Sequence, residues 1–256
     1  MVSPKKSLGQ HFLIDEEIID KIILAFKDSF KAELVFEIGP GTGVLTEHLF
    51  SDYKSKLFVC EIDERMVVLL KKKYPGFTAN IIEEDILSLN WKKYFNNRSV
   101  AVIGNFPYNI STEIIFRIID NREQIPTVIG MFQKEVAKRF ASIHGNKEYG
   151  ITSILTQAYY DIEYLFDVNE NSFRPPPKVK SGVIKMTRKE NPLHINDHIF
   201  FKKLVKVGFN QRRKTLRNAL SSFNISSIQK PIFGLRAEQL SVENWIELSN
   251  DLKPNA

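Results

Sequence analysis

Short apolar runs separated by helical patterns fill the first half of the chain. The runs predict buried strands, because they are brief, rich in β-branched residues and bounded by glycine, proline or acidic residues. They comprise residues 34–38, 57–60, 77–82, 99–104 and 127–132. The segments between them repeat apolar residues at helical spacing, and an earlier helix is predicted to begin after the capping residue Asp15. This alternation indicates an α/β fold with a mainly parallel sheet and helices on both faces.

The pattern changes in the last part of the chain. Residues 151–168 and 181–187 are rich in β-forming residues, and we expect both stretches to extend one edge of the sheet. From about residue 189 the pattern is that of short helices. We therefore predict an α/β domain at residues 1–188 and a small helical domain at residues 189–256. Residues 5–13 show neither period and are predicted to form an N-terminal arm.

A glycine-rich loop follows the first strand of the sheet. Residues 39–43, Gly-Pro-Gly-Thr-Gly, lead into a helix whose free N–H groups and close backbone approach suit a nucleoside. Val44 leaves the dinucleotide pattern G-x-G-x-x-G incomplete, and no Gly-Lys-Ser/Thr completes a P-loop. Glu61 ends the second strand, where an acid can hold ribose hydroxyls, and Asp85 follows the third and can accept from an adenine amino group. S-adenosylmethionine, which lacks phosphate, needs such a set.

Four residues after the fourth strand carry further candidate chemistry. In open α/β sheets this end of a strand is where ligands bind. Asn105 can accept hydrogen bonds from an amino group, Tyr108 can stack on a flat ring, and Pro107 stiffens the loop between them. A strand–turn–helix connection with a capping asparagine explains the same residues, so the stretch alone leaves both interpretations open.

Together these motifs resemble those of a known enzyme family. Glu-Ile-Gly-Pro-Gly-Thr-Gly at 37–43, Glu-Ile-Asp at 61–63 and Asn-Phe-Pro-Tyr at 105–108 are similar to motifs of class I adenine-N6 methyltransferases. Gly-Gln-His-Phe-Leu in the arm narrows the resemblance to rRNA adenine dimethyltransferases. Phe-Arg-Pro-Pro-Pro-Lys-Val at 173–179 and the basic stretch at 209–218 resemble the KsgA/RsmA family specifically. His11 is a departure, since relatives often have Asn there.

The resemblance implies a Rossmann-like domain that uses S-adenosylmethionine, releases S-adenosylhomocysteine and dimethylates adenine N6. The implied substrate is two adjacent adenosines in a hairpin near the 3′ end of 16S rRNA, within the small ribosomal subunit or its precursor. The Asn105 side chain and the Phe106 carbonyl would accept from N6, while Tyr108 and Phe173 would cover the two faces of the base. The residues implied to contact the cofactor or its surroundings are His11, Leu13, Gly39, Gly41, Glu61, Asp85 and Asn105.

Charge points to a polyanionic partner. The formal net charge is +6, and basic residues are concentrated in residues 201–217, which contain no acid. These basic residues are Lys202, Lys203, Lys206, Arg212, Arg213, Lys214 and Arg217. We predict that they bind RNA, and the competing explanation is a solvated helix face that happens to be basic.

Several classes of protein are disfavoured. No apolar stretch approaches the roughly 18 residues of a membrane span, and no apolar signal core follows the N-terminal lysines, so we expect a cytoplasmic monomer without membrane contact. Cys60, the single cysteine, lies in an apolar run and is expected to be buried without a redox role. His194 and His198 have a helical metal-binding spacing but no third ligand nearby, so no metal is predicted.

Three other functions remain as alternatives. An NAD-dependent oxidoreductase is disfavoured by Val44 and by the lack of a hydride-transfer site. An Erm-type methyltransferase would act on 23S rRNA, and Erm proteins lack the basic block at 211–218. A ribosome-assembly factor that keeps only the fold is opposed by the intact glycine loop and the Asn105–Tyr108 pair.

Overall fold

The chain forms two compact units, as seen in a computed structural model that describes residues 4–5, 8–223, 225 and 230–252. The first unit comprises residues 1–137 and 162–188, and the second comprises residues 138–161 and 189–256. The chain crosses from one unit to the other after residues 137, 161 and 188, and the predicted boundary at residue 189 coincides with the last of these crossings. Residues 138–161, predicted to belong to the first domain, form part of the second unit.

A seven-stranded sheet is the centre of the first unit. The strands of the chain are β1 (Phe12–Leu13), β2 (Leu34–Ile38), β3 (Leu57–Cys60), β4 (Ile81–Ile82), β5 (Val100–Asn105), β6 (Thr127–Gln133), β7 (Tyr160–Val168), β8 (Phe173–Arg174) and β9 (Ser181–Arg188). The sheet order is β4-β3-β2-β5-β6-β9-β7, with β2 to β6 parallel and β9 antiparallel to β6. This confirms the mainly parallel sheet and the late strands at one edge.

Helices pack beside the strands, and their ends follow local capping chemistry. In the first part of the chain they are α1 (Glu16–Ser29), α2 (Val44–Tyr53), α3 (Glu64–Lys73), α4 (Trp91–Phe95), α5 (Ser111–Asp120) and α6 (Lys134–Phe140). Asp15 caps α1 as predicted, since its carboxylate accepts the Ile18 N–H at 3.3 Å. Every residue of β2 is buried, which fits the apolar pattern of a central parallel strand.

Three local predictions were wrong or incomplete. Residues 151–157 form helix α7 (Ile151–Gln157) rather than a strand, because Ser153 accepts the Gly150 N–H and caps the helix. A 3₁₀ helix at Pro75–Asn80 leaves only Ile81–Ile82 as a strand. The N-terminal arm is not wholly irregular, because β1 pairs antiparallel with β8, with Leu13 opposite Phe173.

The second unit is helical, as predicted for the end of the chain. Its later helices are α8 (His198–Asn210), α9 (Leu216–Ala219) and α10 (Val242–Asp251). The indole of Trp245 is fully buried and donates to the Ala237 carbonyl at 3.3 Å. A Cβ on Gly208 would lie 2.4 Å from that ring, so glycine permits α8 and α10 to approach closely. None of the helices in the described residues is both long and apolar enough to cross a membrane.

Candidate active site

A cavity of about 250 Å³ opens in the first unit beside the carboxyl ends of β2, β3 and β5. Parallel strands converge at this edge, so residues distant in sequence meet there. The predicted site residues that line it are His11, Leu13, Gly39, Gly41, Glu61, Asp85, Asn105, Phe106 and Tyr108. The structure thus brings together nine of the residues proposed from sequence, while Phe173 is not among the lining residues.

The glycine loop between β2 and α2 forms one wall of the cavity. Gly39 and Gly41 have φ values of 69° and 54°, a region that side-chain-bearing residues rarely adopt. A Cβ on Gly41 would also lie 3.1 Å from the Phe12 ring of the arm. The Gly41 N–H points to the next strand end and donates to Glu61 Oε2 at 3.1 Å. The loop therefore lets the backbone itself come close to whatever occupies the cavity, while the Gly41 N–H orients Glu61.

Glu61 lies almost completely buried at the end of β3. Its Oε1 accepts the Asp63 N–H at 2.9 Å, so both carboxylate oxygens are oriented by backbone donors. Burial raises the pKa of this carboxyl group. A fixed carboxylate in a cavity lined largely by apolar groups can accept from a pair of ribose hydroxyls. This donor and acceptor set fits S-adenosylmethionine, which offers hydroxyls and an adenine but no phosphate.

Glu37 is a cavity residue whose role sequence reasoning missed. It is buried in β2, and its Oε2 accepts a hydrogen bond from Thr46 Oγ1 at 2.6 Å. Burial raises its pKa from 4.5 to about 8. The sequence does contain a signal for a buried acid at this position, because Glu37 interrupts the otherwise apolar strand Leu-Val-Phe-Glu-Ile.

Two other cavity residues complete the cofactor side. Asp85 is half-buried and accepts the Leu87 N–H at 2.9 Å, which leaves its carboxylate beside the cavity. Cys60 is buried as predicted, and its thiol donates to the Glu84 carbonyl at 3.2 Å. Burial raises the pKa of the thiol to about 12, so it stays protonated and unreactive near neutral pH.

Asn105 is oriented by the N-terminal arm. Its Nδ2 donates to the His11 carbonyl at 3.0 Å, and no donor among the described residues bonds to its Oδ1. The neighbouring Phe106 is fully buried, its ring meets Phe132 edge-on at 5.1 Å, and its N–H donates to the Met131 carbonyl. The loop is therefore anchored by the Phe106 side chain, while the Asn105 amide presents its oxygen as an acceptor.

Tyr108 is held by two groups that sequence reasoning did not identify. Its Oη lies 2.5 Å from Ser181 Oγ at the start of β9. Its ring stacks on that of His11, with centroids 5.5 Å apart. The Nδ1 of His11 is 2.8 Å from the Pro175 carbonyl oxygen, so this nitrogen carries the proton and donates. Burial raises the pKa of the Tyr108 phenol, which keeps the ring neutral.

Phe173, which the resemblance places over one face of the target base, is not among the residues that line the cavity. It is 2% exposed and belongs to the same buried core cluster as Leu13. The pairing of β1 with β8 sets Phe173 opposite Leu13, which does line the cavity. The contact of Phe173 with the target base therefore stays a prediction. In this arrangement the His11 ring stacks on the Tyr108 ring. Phe173 pairs with Leu13 of the arm through the β1–β8 ladder.

A buried aspartate fastens the arm beside the cavity. Asp63 caps α3, and its carboxylate accepts from Arg65, from Gln10 Nε2 at 3.0 Å and from Lys5 Nζ at 3.3 Å. The Arg65 guanidinium, followed by the Gln10 and Lys5 contacts, holds the pKa of this carboxyl well below its usual range. The arm is therefore attached by an ionised group only two residues after Glu61.

The basic residues of the second unit divide into two groups. Those exposed to solvent are Lys203, Lys206, Arg213, Lys214 and Arg217. Lys202 is partly buried. Arg212 is engaged inside the unit, since its Nη2 donates to the Lys147 carbonyl at 2.9 Å and its Nε lies 3.8 Å from Glu238. Arg212 therefore connects two loops, and its RNA contact stays a prediction.

Comparison with known proteins gives a consistent result. The chain matches the family described as Ribosomal RNA adenine dimethylase over residues 1–253. It is 53% identical over 256 residues to the Ribosomal RNA small subunit methyltransferase A of Cytophaga hutchinsonii, covering 98% of each chain. The protein of the same name in Flavobacterium johnsoniae is 51% identical, covering 98% of this chain and 97% of the relative.

Solved structures share the fold. A dimethyladenosine transferase from Plasmodium falciparum has a TM-score of 0.78 and 28% identity, covering 94% of this chain and 97% of that one. The 23S rRNA methyltransferase ErmE has a TM-score of 0.71 at 24% identity, covering 94% of this chain and 99% of that one. The likeness to ErmE shows a common fold and no more.

Proposed function

Because the chain belongs to the ribosomal RNA adenine dimethylase family, we propose that it acts on 16S rRNA in the small ribosomal subunit or its precursor. The enzyme is an S-adenosylmethionine-dependent rRNA adenine dimethyltransferase. The proposed target is two adjacent adenosines in a hairpin near the 3′ end of that RNA. The names of the two relatives from Cytophaga and Flavobacterium support the choice of subunit. We further propose that the protein acts in the cytoplasm as a monomer.

The orientation of the Asn105 amide is the observation that carries the proposed mechanism. Its donor is engaged by the His11 carbonyl, so its oxygen is the atom left to accept from an amino group in the cavity. Adenine N6 is a weak nucleophile because its lone pair is delocalised into the ring. Hydrogen bonds to Asn105 Oδ1 and to the Phe106 carbonyl favour a pyramidal nitrogen whose lone pair is available for bond formation.

Tyr108 supplies the surface on which the adenine ring stacks. Its hydroxyl is bonded to Ser181 and its ring is backed by His11, so the ring is fixed before the base arrives. Extrusion of a base from its stack costs a few kcal/mol, and stacking on an aromatic ring offsets part of that cost. Stacking and positioning therefore supply most of the catalysis by these residues, without a strong general base.

Transfer of two methyl groups sets a further requirement. After the first transfer N6 retains one N–H, so it can bond to only one acceptor at a time. Asn105 and Phe106 provide two acceptors, and either one satisfies the remaining N–H. Firm stacking on Tyr108 with interchangeable polar contacts suits both rounds better than a rigid two-bond clamp.

The cofactor side would hold the methyl donor through groups already in place. S-adenosylmethionine supplies an electrophilic methyl group on a positively charged sulfur. Glu61 would accept from the ribose hydroxyls, Asp85 from the adenine amino group, and the glycine loop would allow close backbone approach. His11 and Leu13 of the arm would cover the cofactor.

The exposed cations of the second unit are the proposed binding surface for the RNA. None of them has a carboxylate partner among the described residues, and Arg217 also lies over the Phe233 ring. They are Lys203, Lys206, Arg213, Lys214 and Arg217. Phosphate contacts of this kind orient a nucleic acid without reading its sequence. We therefore propose that these cations bind the RNA backbone of the small ribosomal subunit, whereas the cavity selects the base that is methylated.

Subunit-specific methylation tests the proposal. The protein would be incubated with S-adenosylmethionine and with small or large ribosomal subunits from cells that lack the activity, and methylated adenines would be mapped. We expect two dimethylated adjacent adenosines in the small-subunit RNA and none in the large. Methylation confined to large subunits would favour an Erm-type activity, and no methylation of either would favour an assembly factor.

A further inference from the structure

A short basic segment borders the acceptor side of the cavity. We call residues 174–180, Arg-Pro-Pro-Pro-Lys-Val-Lys, the proline strap, which connects β8 to β9 in the first unit. One end is fixed by the hydrogen bond from His11 Nδ1 to the Pro175 carbonyl. At the other end, the next residue, Ser181, bonds to the Tyr108 hydroxyl. The strap is thus held at both ends by the two rings that stack at the site.

The side chains of the strap carry uncompensated positive charge. Arg174, Lys178 and Lys180 are exposed, and none has an ion pair with an acid in the described part of the chain. Nearby lysines differ, since Lys134 is paired with Asp167 and Lys185 lies 2.7 Å from Glu163. Three free cations within seven residues, without an acid among them, form a local site for anions.

The backbone of the strap is suited to binding without much ordering. The three consecutive prolines fix their own φ angles, and the Lys180 carbonyl accepts the Lys134 N–H at 2.9 Å. Pro177 is buried, which gives the middle of the strap a further anchor. A stiff segment loses little conformational entropy on association, so its charges are already near the positions in which they bind.

From this arrangement we propose that the proline strap binds the backbone phosphates that flank the target adenosine. The inference rests on the proposed function, in which the adenine enters the cavity against Tyr108. An extruded base keeps its own sugar and phosphates at the mouth of the pocket. The strap is bonded to His11 through Pro175, and Ser181, the residue that follows it, is bonded to Tyr108. These two bonds place the strap beside the two stacked rings, so in the proposal its cations meet the phosphates of the extruded nucleotide. Arg174 offers the planar fork that matches a phosphate.

This contact differs in role from the basic face of the second unit. The strap belongs to the first unit and holds the nucleotide whose base is being modified. Its loss is expected to affect RNA binding and its salt dependence, while leaving the cofactor wall, Glu61 and the glycine loop, unchanged. Each lost phosphate contact lowers the slope of log affinity against log salt by about 0.7 for single-stranded RNA.

The test compares two variants that remove the same charge. The strap variant is Arg174→Gln with Lys178→Gln and Lys180→Gln. The control variant is Lys31→Gln with Lys54→Gln and Lys56→Gln, three exposed lysines that precede β2 and β3 at the opposite edge of the sheet. We expect the strap variant to bind an unmethylated small subunit about 10-fold more weakly and to lower the salt slope by about 2, with S-adenosylmethionine affinity unchanged. The control should change the slope by less than half as much.

Two further measurements make the outcome decisive. Lys178→Arg with Lys180→Arg preserves the charge and should retain the wild-type slope, so a loss equal to that of the glutamine variant would overturn the phosphate role. Equal binding and slopes in the strap and control variants would overturn it as well. Failure of the wild-type enzyme to methylate small subunits would instead refute the proposed function, which separates the two results.

Discussion

The two sides of the cavity use opposite kinds of chemistry. The proposed cofactor side is built from the glycine loop and the buried acid Glu61, whose pKa is raised by burial. Glu37 lies beside them, and burial raises its pKa to about 8, so it keeps its proton at neutral pH. The acceptor side uses neutral groups, with Asn105 and Tyr108 oriented by hydrogen bonds to His11 and Ser181. In the proposed mechanism, this difference would allow one cavity to hold a charged methyl donor and a neutral base next to each other.

The difference follows from what each side must recognise. A cationic cofactor with ribose hydroxyls is matched by acidic acceptors, and burial makes their contacts selective because an unpaired acid is costly there. An adenine amino group needs acceptors that do not remove its proton before it reacts. A neutral amide and a carbonyl meet that need, whereas a carboxylate at position 105 would place charge against the His11 carbonyl.

The largest effect is expected on the acceptor side. Asn105→Ala should lower kcat for adenine methylation by about 100-fold or more, because the acceptor that positions N6 is lost. Cofactor affinity should change far less, since Glu61 and the glycine loop remain. Turnover with unmethylated small subunits and calorimetric titration with S-adenosylmethionine would measure the two effects. Asn169→Ala, which alters an exposed asparagine of the same unit, serves as the control. Near-normal turnover in Asn105→Ala would contradict the mechanism.

The next largest effect is expected on the cofactor side. Glu61→Gln retains the size of the side chain but replaces one carboxylate oxygen by an NH₂ group. That NH₂ group is a donor, so it can accept neither the backbone N–H nor the ribose hydroxyl that the oxygen would accept. We expect S-adenosylmethionine affinity to fall by about 10-fold, in line with the 1.5–3 kcal/mol of a hydrogen bond to a charged group. Glu64→Gln changes an exposed acid on α3 and should leave affinity unchanged. Equal affinities in the two variants would show that Glu61 does not contact the cofactor.

A smaller effect is expected from the hydroxyl that holds Tyr108. Ser181→Ala removes the partner of the Tyr108 hydroxyl and should reduce kcat/KM for RNA by about five-fold, the equivalent of about 1 kcal/mol for one hydrogen bond. Tyr108→Phe removes the same bond from the other side. If the bond fixes the ring, the double variant should be no worse than either single variant, whereas additive losses would argue for separate roles. Cofactor affinity should be unchanged throughout.

The smallest effect concerns stability rather than catalysis. Folded protein retains a proton on Glu37 between about pH 4.5 and about pH 8, whereas the unfolded chain has released it, so this group makes the wild type less stable as pH rises through that window. Glu37→Gln removes the dependence and retains an acceptor for Thr46. The difference in melting temperature, variant minus wild type, should therefore increase by a few degrees between about pH 4.5 and about pH 8 and stay constant above that. Thermal melts of the cofactor-free proteins, with Glu64→Gln as control, would detect this. A constant difference would show that Glu37 is already ionised.

Much of the fold was predictable because the strands are apolar and the helices are capped. The bounds of β2 and β3 agree with the sequence pattern, and Asp15 caps α1 as expected. Helix α7 was mistaken for a strand because its β-branched residues have strand propensity, while Ser153 caps a helix through contacts that lie partly outside the local pattern. Propensity was overridden there by tertiary contacts.

The site was predictable where a strand end determines what a side chain faces. Asn105, Tyr108, Glu61 and the glycine loop all meet at one edge of the sheet, as the order of motifs implied. The pairing of β1 with β8, which sets Leu13 opposite Phe173, was not predicted, because the two strands lie far apart in the sequence and leave no local signal. The support that Ser181 gives to Tyr108 escaped notice for the same reason, since an isolated serine has many uses.

The hydrogen bond from Asn105 to the His11 carbonyl has a practical consequence for handling the protein. A purification tag fused ahead of Lys5 would be attached to the same short segment that orients the Asn105 amide and is bonded to Asp63. The last helix of the described residues, α10, belongs instead to the second unit. Enzyme tagged at its C-terminus is therefore the better material for rate measurements, and cleavage of an N-terminal tag should itself raise the measured rate.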